Sequence, residues 1–159
     1  MNAAPPDLPA LDASDLPALD AYEEFAGNLE LIDDEDMRFE YIIDIGKRAA
    51  AADFPDAFKA DANLMHGCMS KVWITDRVED GRHYFAGFSD AIIVKGLVTM
   101  MTQSFSGLTG EQLQSVSEDH VRRLNLGALT TQRQVGMMAM MEHLKKLGRK
   151  YDAAVRAAD

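Results

Sequence analysis

The chain predicts an α+β fold, a small antiparallel β-sheet packed against several α-helices, on three observations. Apolar residues recur at helical spacing up to about residue 48 and again after residue 90. Between them the pattern changes to alternation, broken by an Asp80-Gly81 turn signal. Helices, then a hairpin, then helices is the segregated order of an α+β domain. A length of 159 residues makes one domain the default, and 47% hydrophobic residues exclude a wholly disordered chain.

The elements follow in order. Residues 1–21 hold four of the five prolines and a duplication, Asp7-Leu-Pro-Ala-Leu-Asp-Ala13 repeated as Asp15-Leu-Pro-Ala-Leu-Asp-Ala21. Two copies are too few for a solenoid, so this reads as a solvated, acidic, disordered leader; a docking tail for a basic surface is the sharper alternative. Tyr22, Phe25, Leu29 and Ile32 then repeat at helical spacing. A second helix follows, capped by Asp33 or Asp34. Phe39, Ile42, Ile43 and Gly46 face inward, and Lys47 and Arg48 sit where the dipole favours cations. Ala49–Asn63 reads as an irregular connection around Pro55.

Val72 and Ile74 alternate with Trp73 and Thr75 in a first strand. Asp80-Gly81 turns the chain, because glycine accepts positive φ at little cost, and Tyr84–Phe88 returns. Ser89 or Asp90 is placed to cap the next helix. Its apolar residues, from Ile92 to Met101, surround most of the circumference and predict burial. Thr109-Gly-Glu-Gln112 has capping-box spacing, and Val121–Leu126 reads as a further turn or two. Thr130 or Thr131 opens a last helix with Met137, Met141, Leu144 and Leu147 on one side; the neighbouring methionines read as core filler more readily than as a binding surface. The domain so delimited is 22–150, with 151–159 as a C-terminal tail.

Charge narrows the function classes. Of the 26 acidic residues, eleven lie in residues 1–36, where no Lys or Arg occurs. That start is unlike basic secretory or mitochondrial presequences, and with one cysteine the simplest expectation is a cytoplasmic protein. The formal charge of −10 disfavours sequence-independent nucleic-acid binding. No apolar run approaches the roughly 18 residues of a membrane span. A single cysteine leaves neither a disulfide framework nor a multi-thiolate metal site; no metal and no cofactor are expected.

Cys68 is the residue positioned for chemistry. It stands in Asn63-Leu-Met-His-Gly-Cys-Met-Ser-Lys-Val-Trp73, between the irregular segment and the first strand, with Gly67 able to bend the backbone. A loop tip on a rigid support suits a reacting group, although a lone cysteine taken by itself is more often an inert core residue. His66 is two residues away, on the same side in an extended backbone, as a proton partner or a solvated ring.

Gly67-Cys68-Met69-Ser70-Lys71-Val72-Trp73 resembles the Gly-Cys-Gln-Ser-Gln-Val-Trp signature of the SufE family, sulfur acceptors that serve cysteine desulfurases. Ser89–Leu97 is similar to that family's segment after the hairpin. Leu129-Thr-Thr-Gln-Arg133 with Gly136 resembles its Leu-Ser/Thr-x-x-Arg-x-x-Gly helix start, and Arg38-x-x-Tyr41-Ile42-Ile43-x-x-Gly46 its first helix. The blocks are collinear over about residues 22–148. Met69 and Lys71 depart from the glutamines usual there, which bears on the loop's polar contacts and on the choice of desulfurase.

The resemblance implies a SufE/IscU-like fold and a persulfide relay through Cys68, an accessory role rather than independent turnover. Cys68 would accept sulfur from a desulfurase of the SufS or CsdA type, which carries its own pyridoxal phosphate, and would pass it to a SufBCD-like scaffold for iron–sulfur cluster assembly. His66, Gly67 and Ser70 would support the loop. Arg133, Asp90 and Lys71 are candidates for partner contact, with a surface ion pair and a helix cap as the plain alternatives for Arg133 and Asp90. A monomer forming transient complexes is expected. The competing classes are an iron–sulfur scaffold, which needs about three or four ligands where one thiol is present, a Cys–His hydrolase using His66, His83, His120 or His143, and a non-catalytic adaptor.

Overall fold

The structure, a computed structural model, describes residues 19–49, 54–67, 70–125 and 129–158. The duplicated leader up to residue 18 and the Cys68-Met69 pair lie outside the described residues, as does Leu126. Among the described residues, six α-helices and a four-stranded antiparallel sheet follow the predicted order.

Helices α1 (Asp20–Leu31) and α2 (Glu35–Arg48) are joined by a tight connection. Asp34 makes the cap, its carboxylate accepting from the Met37 N–H at 3.0 Å. Tyr22, Ala26 and Leu29 bury one face of α1; Ile42, Ile45 and Gly46 bury one face of α2. Leu19, counted with the leader in the sequence, is fully buried, so the second copy of the repeat contributes a residue to the core.

Two short 3-10 turns, Asp56–Phe58 and Asp61–Asn63, order part of the stretch read as irregular. They lead into β1 (Leu64–Met65), a two-residue edge strand. Then come β2 (Val72–Glu79) and β3 (Arg82–Ser89), paired from Val72↔Ser89 to Glu79↔Arg82 across the Asp80-Gly81 turn. Beyond α3 (Ile92–Ser104), β4 (Leu108–Thr109) completes the sheet in the order β1-β2-β3-β4.

Helix α3 lies at the centre, with ten buried residues, as its all-round apolar surface predicts. It meets α2 backbone to backbone. A Cβ on Gly46 would sit 2.5 Å from the Ile92 carbonyl oxygen, and one on Gly96 would collide with the Ile42 carbonyl. The other face of α3 presses on the sheet at Gly87, where a Cβ would meet Val98.

Helix α3 starts one residue later than an Asp90 cap requires and two later than a Ser89 cap. Ala91 is at the cap position with no side-chain bond, and Asp90 is exposed. The Ser89 hydroxyl instead accepts from the Ala91 N–H at 3.3 Å inside the strand-to-helix turn. Ser89 is held by its pairing to Val72, so the chain needs two more residues before helical geometry begins.

Beyond β4 the described elements are all helices. In α4 (Gly110–Gln114) the predicted capping box is complete. The next helix, α5 (Glu118–Arg122), starts earlier than the expected Val121 through a second box in which His120 replaces the usual Glu or Gln. Arg123, at its end, pairs with Glu23 at 3.2 Å and Glu30 at 2.8 Å, and this bridge to α1 holds the guanidinium pKa above its ordinary value. Helix α6 (Thr131–Ala158) is opened by the Thr130 hydroxyl, which accepts from the Arg133 N–H at 3.3 Å. It runs on through residues 151–158. Met137, Met140 and Met141 are buried, so the methionine run is core.

Candidate functional site

Cys68 itself lies outside the described residues; the chain on either side of it is fixed. Strand β1 pairs with β2 at Leu64↔Trp73 and Met65↔Val72. The segment 66–71 is therefore the connection of a hairpin. That pairing is invisible in the sequence, because a two-residue edge strand has no measurable period.

At the start of this connection Gly67 has φ +108°, a region L side chains rarely adopt. A Cβ there would sit 3.4 Å from that of Ala139, so the loop stem rests on α6. Two concavities open on either side of this seat.

The first is a cavity of about 640 Å³. Gly67 and Ser70, which bracket residues 68 and 69, line it together with Val94 and Leu97 of α3 and Val135 and Met140 of α6. Its surroundings are mainly apolar, and Arg133 reaches it from the first turn of α6. Arg133 makes no ion pair with any described residue, so the surface ion pair considered above is not formed among them. The second is a groove of about 620 Å³ along β1, β2 and α6, lined by His66, Asp76, His143 and Lys146 among others.

The supporting residues are thus divided. Gly67, Ser70 and Arg133 meet at the cavity. His66 is exposed and lines the groove, facing His143 rather than the cavity. Lys71 is exposed just before β2. Asp90 borders neither concavity. Trp73 is buried on the outer face of the sheet against Phe88, with ring centroids 6.3 Å apart, which makes it a packing residue.

Two imidazoles near the groove are partly or wholly buried. His143 has a pKa below its ordinary value, first because it is half-buried and then because Lys146 and His66 add positive charge. His83 is fully buried; its Nδ1 bonds both Asp76 carboxylate oxygens at 2.8–2.9 Å, and the Tyr151 ring packs on it edge-on. Its Nε2 has no hydrogen-bond partner among the described residues. Among those residues no group of three or more His, Cys, Asp or Glu is placed to hold a metal ion, and no helix is long and apolar enough to cross a membrane.

Sequence reasoning missed the apolar wall, Val94, Leu97, Val135 and Met140, and the basic side of α6. A signal for the wall was present: Leu129–Gly136 and Ser89–Leu97 are two of the blocks that carry the family resemblance, and they converge here.

Comparison with known proteins gives the same direction. The family described as "SufE: Fe-S metabolism associated domain" matches residues 23–148. A SufE-like protein of Synechocystis sp. is 34% identical over 93 residues, 58% of this chain and 57% of that protein. A SufE-like protein of Rhizobium meliloti is 29% identical over 129 residues, 77% of this chain and 91% of that protein. The sulfur acceptor protein CsdE of Escherichia coli is 35% identical over 81 residues, 50% of this chain and 54% of that protein. The matches thus span little more than half the length of the Synechocystis and Escherichia coli relatives.

Proposed function

The chain belongs to the SufE family, and from that premise we propose that it accepts sulfur from a cysteine desulfurase on Cys68 and hands it on to an iron–sulfur cluster scaffold in the cytoplasm. The observation that carries this reading is the convergence at one cavity of Gly67 and Ser70, which bracket Cys68 in the chain, and Arg133 from the first turn of α6. Similarity to a protein named a sulfur acceptor supports it.

The chemistry is one exchange. The Cys68 thiolate attacks the outer sulfur of a persulfide on the desulfurase cysteine. A new S–S bond forms on Cys68 as the donor's S–S bond breaks. The donor leaves as a thiolate and takes up a proton, so no external oxidant or reductant enters. The rate depends on thiolate fraction and access. An ordinary thiol is only a few per cent ionised at neutral pH. Lowering its pKa by one unit raises that fraction about tenfold, while nucleophilicity falls about threefold at a Brønsted slope near 0.4–0.5. Acidifying the thiol therefore gains only a few-fold, and presentation of the loop to the donor has to supply more. An apolar cavity beside the loop shelters a persulfide from water and oxidants between the two transfers.

The test is intact-mass spectrometry after incubation with candidate desulfurases and free cysteine. The expected result is a gain of one sulfur atom that reducing agent removes and that Cys68→Ser abolishes. A serine variant that still gains the sulfur rejects the assignment.

A further inference from the structure

The groove on the far side of the Gly67 seat has a use that the sulfur chemistry does not account for. His66, His143, Lys146, Arg149 and Lys150 converge on it. Against them stand two acids, Glu142 and Asp76, and the Asp76 carboxylate is turned onto His83. Lys146 and Lys150 are exposed and make no ion pair with any described residue. Arg149 bonds the neutral amide oxygen of Gln114 at 2.7 Å. A protein with a formal charge of −10 thus keeps a concave patch of uncompensated positive charge, and concave walls concentrate such a field.

We propose that this groove is the electrostatic docking site for a carboxylate-rich segment of the desulfurase that supplies sulfur to Cys68. Position supports a protein occupant: His66 lies both in the groove wall and two residues before Cys68, so a partner seated on α6 faces the thiol loop. Crowding supports an anionic one. The half-buried His143 is already disfavoured as a cation by Lys146 and His66, and an incoming carboxylate relieves that repulsion. The inference rests on the relay reading for the partner's role, and on the groove alone for its chemistry.

The experiment uses the full chain and a fluorescein-labelled hexaglutamate peptide, followed by anisotropy at low salt. Lys146→Glu/Lys150→Glu is compared with Lys47→Glu/Arg156→Glu, which makes the same change in net charge at exposed sites outside the groove. The groove pair is expected to weaken binding about tenfold and the control pair less than about twofold, with salt abolishing both differences. The peptide is also expected to slow sulfur uptake by Cys68 from whichever desulfurase labels it. Equal losses in the two variants, or no binding to the unmodified chain, overturn the proposal, as does groove binding that leaves uptake unslowed. If no desulfurase labels Cys68, the relay reading fails while the peptide titration still decides the groove.

Discussion

The two concavities beside residue 67 are nearly equal in volume, about 640 and 620 Å³, and opposite in lining. One is walled by Val94, Leu97, Val135 and Met140 with the single cation Arg133. The other gathers three cationic side chains and two imidazoles. In an apolar recess water screens poorly, so one charge acts strongly over a few ångströms. On an open basic wall each charge is solvated and weak, but together they act out to about a Debye length, roughly 8–10 Å at ordinary salt. The first arrangement suits control of a reacting sulfur, the second capture of a partner. Gly67 and Ser70 border the first and His66 the second.

The largest expected effect breaks the comparison at its hinge. Gly67→Ala forces φ +108° on a residue with a Cβ, at a cost of about 1–3 kcal/mol. The stem would escape that strain by leaving its seat on Ala139. Sulfur uptake should then fall more than tenfold, while the urea midpoint moves by no more than that strain implies. Full uptake in the alanine variant, by initial rates from mass spectrometry, shows that the division between the two walls does not depend on this stem.

A smaller effect sharpens the role of the apolar side. If Arg133 favours the thiolate, Arg133→Met raises the thiol pKa. Uptake at neutral pH then falls only a few-fold, by the compensation between ionisation and nucleophilicity, and the gap closes above about pH 9, where an ordinary thiol is ionised anyway. If Arg133 instead contacts the donor, the loss is larger and persists at every pH. Iodoacetamide alkylation rates against pH, measured without any partner, separate the two outcomes.

How far all this could be read in advance depends on the range of the interaction involved. The α3 core helix, the Asp80-Gly81 hairpin and the Thr109 box are local patterns, and each stands where spacing placed it. Asp90 failed as a cap because the end of β3 is set by the pairing Val72↔Ser89, a contact across the sheet. The α5 start was hidden because His120 fills a capping role usually given to Glu or Gln. Strand β1 was hidden because two residues carry no period. At the site, Gly67 and Ser70 were legible from Cys68 outward, and Arg133 from its place in a family block. The basic groove was not, because its walls come from residues 62–66, β2 and the middle of α6. Nor could spacing show that His66 lines that groove.

The smallest effect tests the basic side through pH. Burial, then Lys146 and His66, hold the His143 pKa below the 6.5 of a free imidazole. Well above 6.5 the ring is neutral in folded and unfolded chains alike, and it contributes nothing to the pH dependence. Below 6.5 the unfolded chain binds the proton first, so stability falls as pH drops toward the folded-state value. His143→Asn removes that proton uptake, and the stability of the variant should decline less steeply than that of the unmodified chain between about pH 7 and 5. His120, held low by its own burial and by Arg123, is unchanged in both proteins and cancels in the difference. Urea midpoints across that window give the comparison. Adding Lys146→Glu, which replaces a repelling neighbour with an attracting one, should shallow the slope of the unmodified protein in the same direction. If the charge swap leaves the slope untouched while the asparagine change removes it, burial alone sets the behaviour of His143, and the field of the groove is weaker than its composition implies.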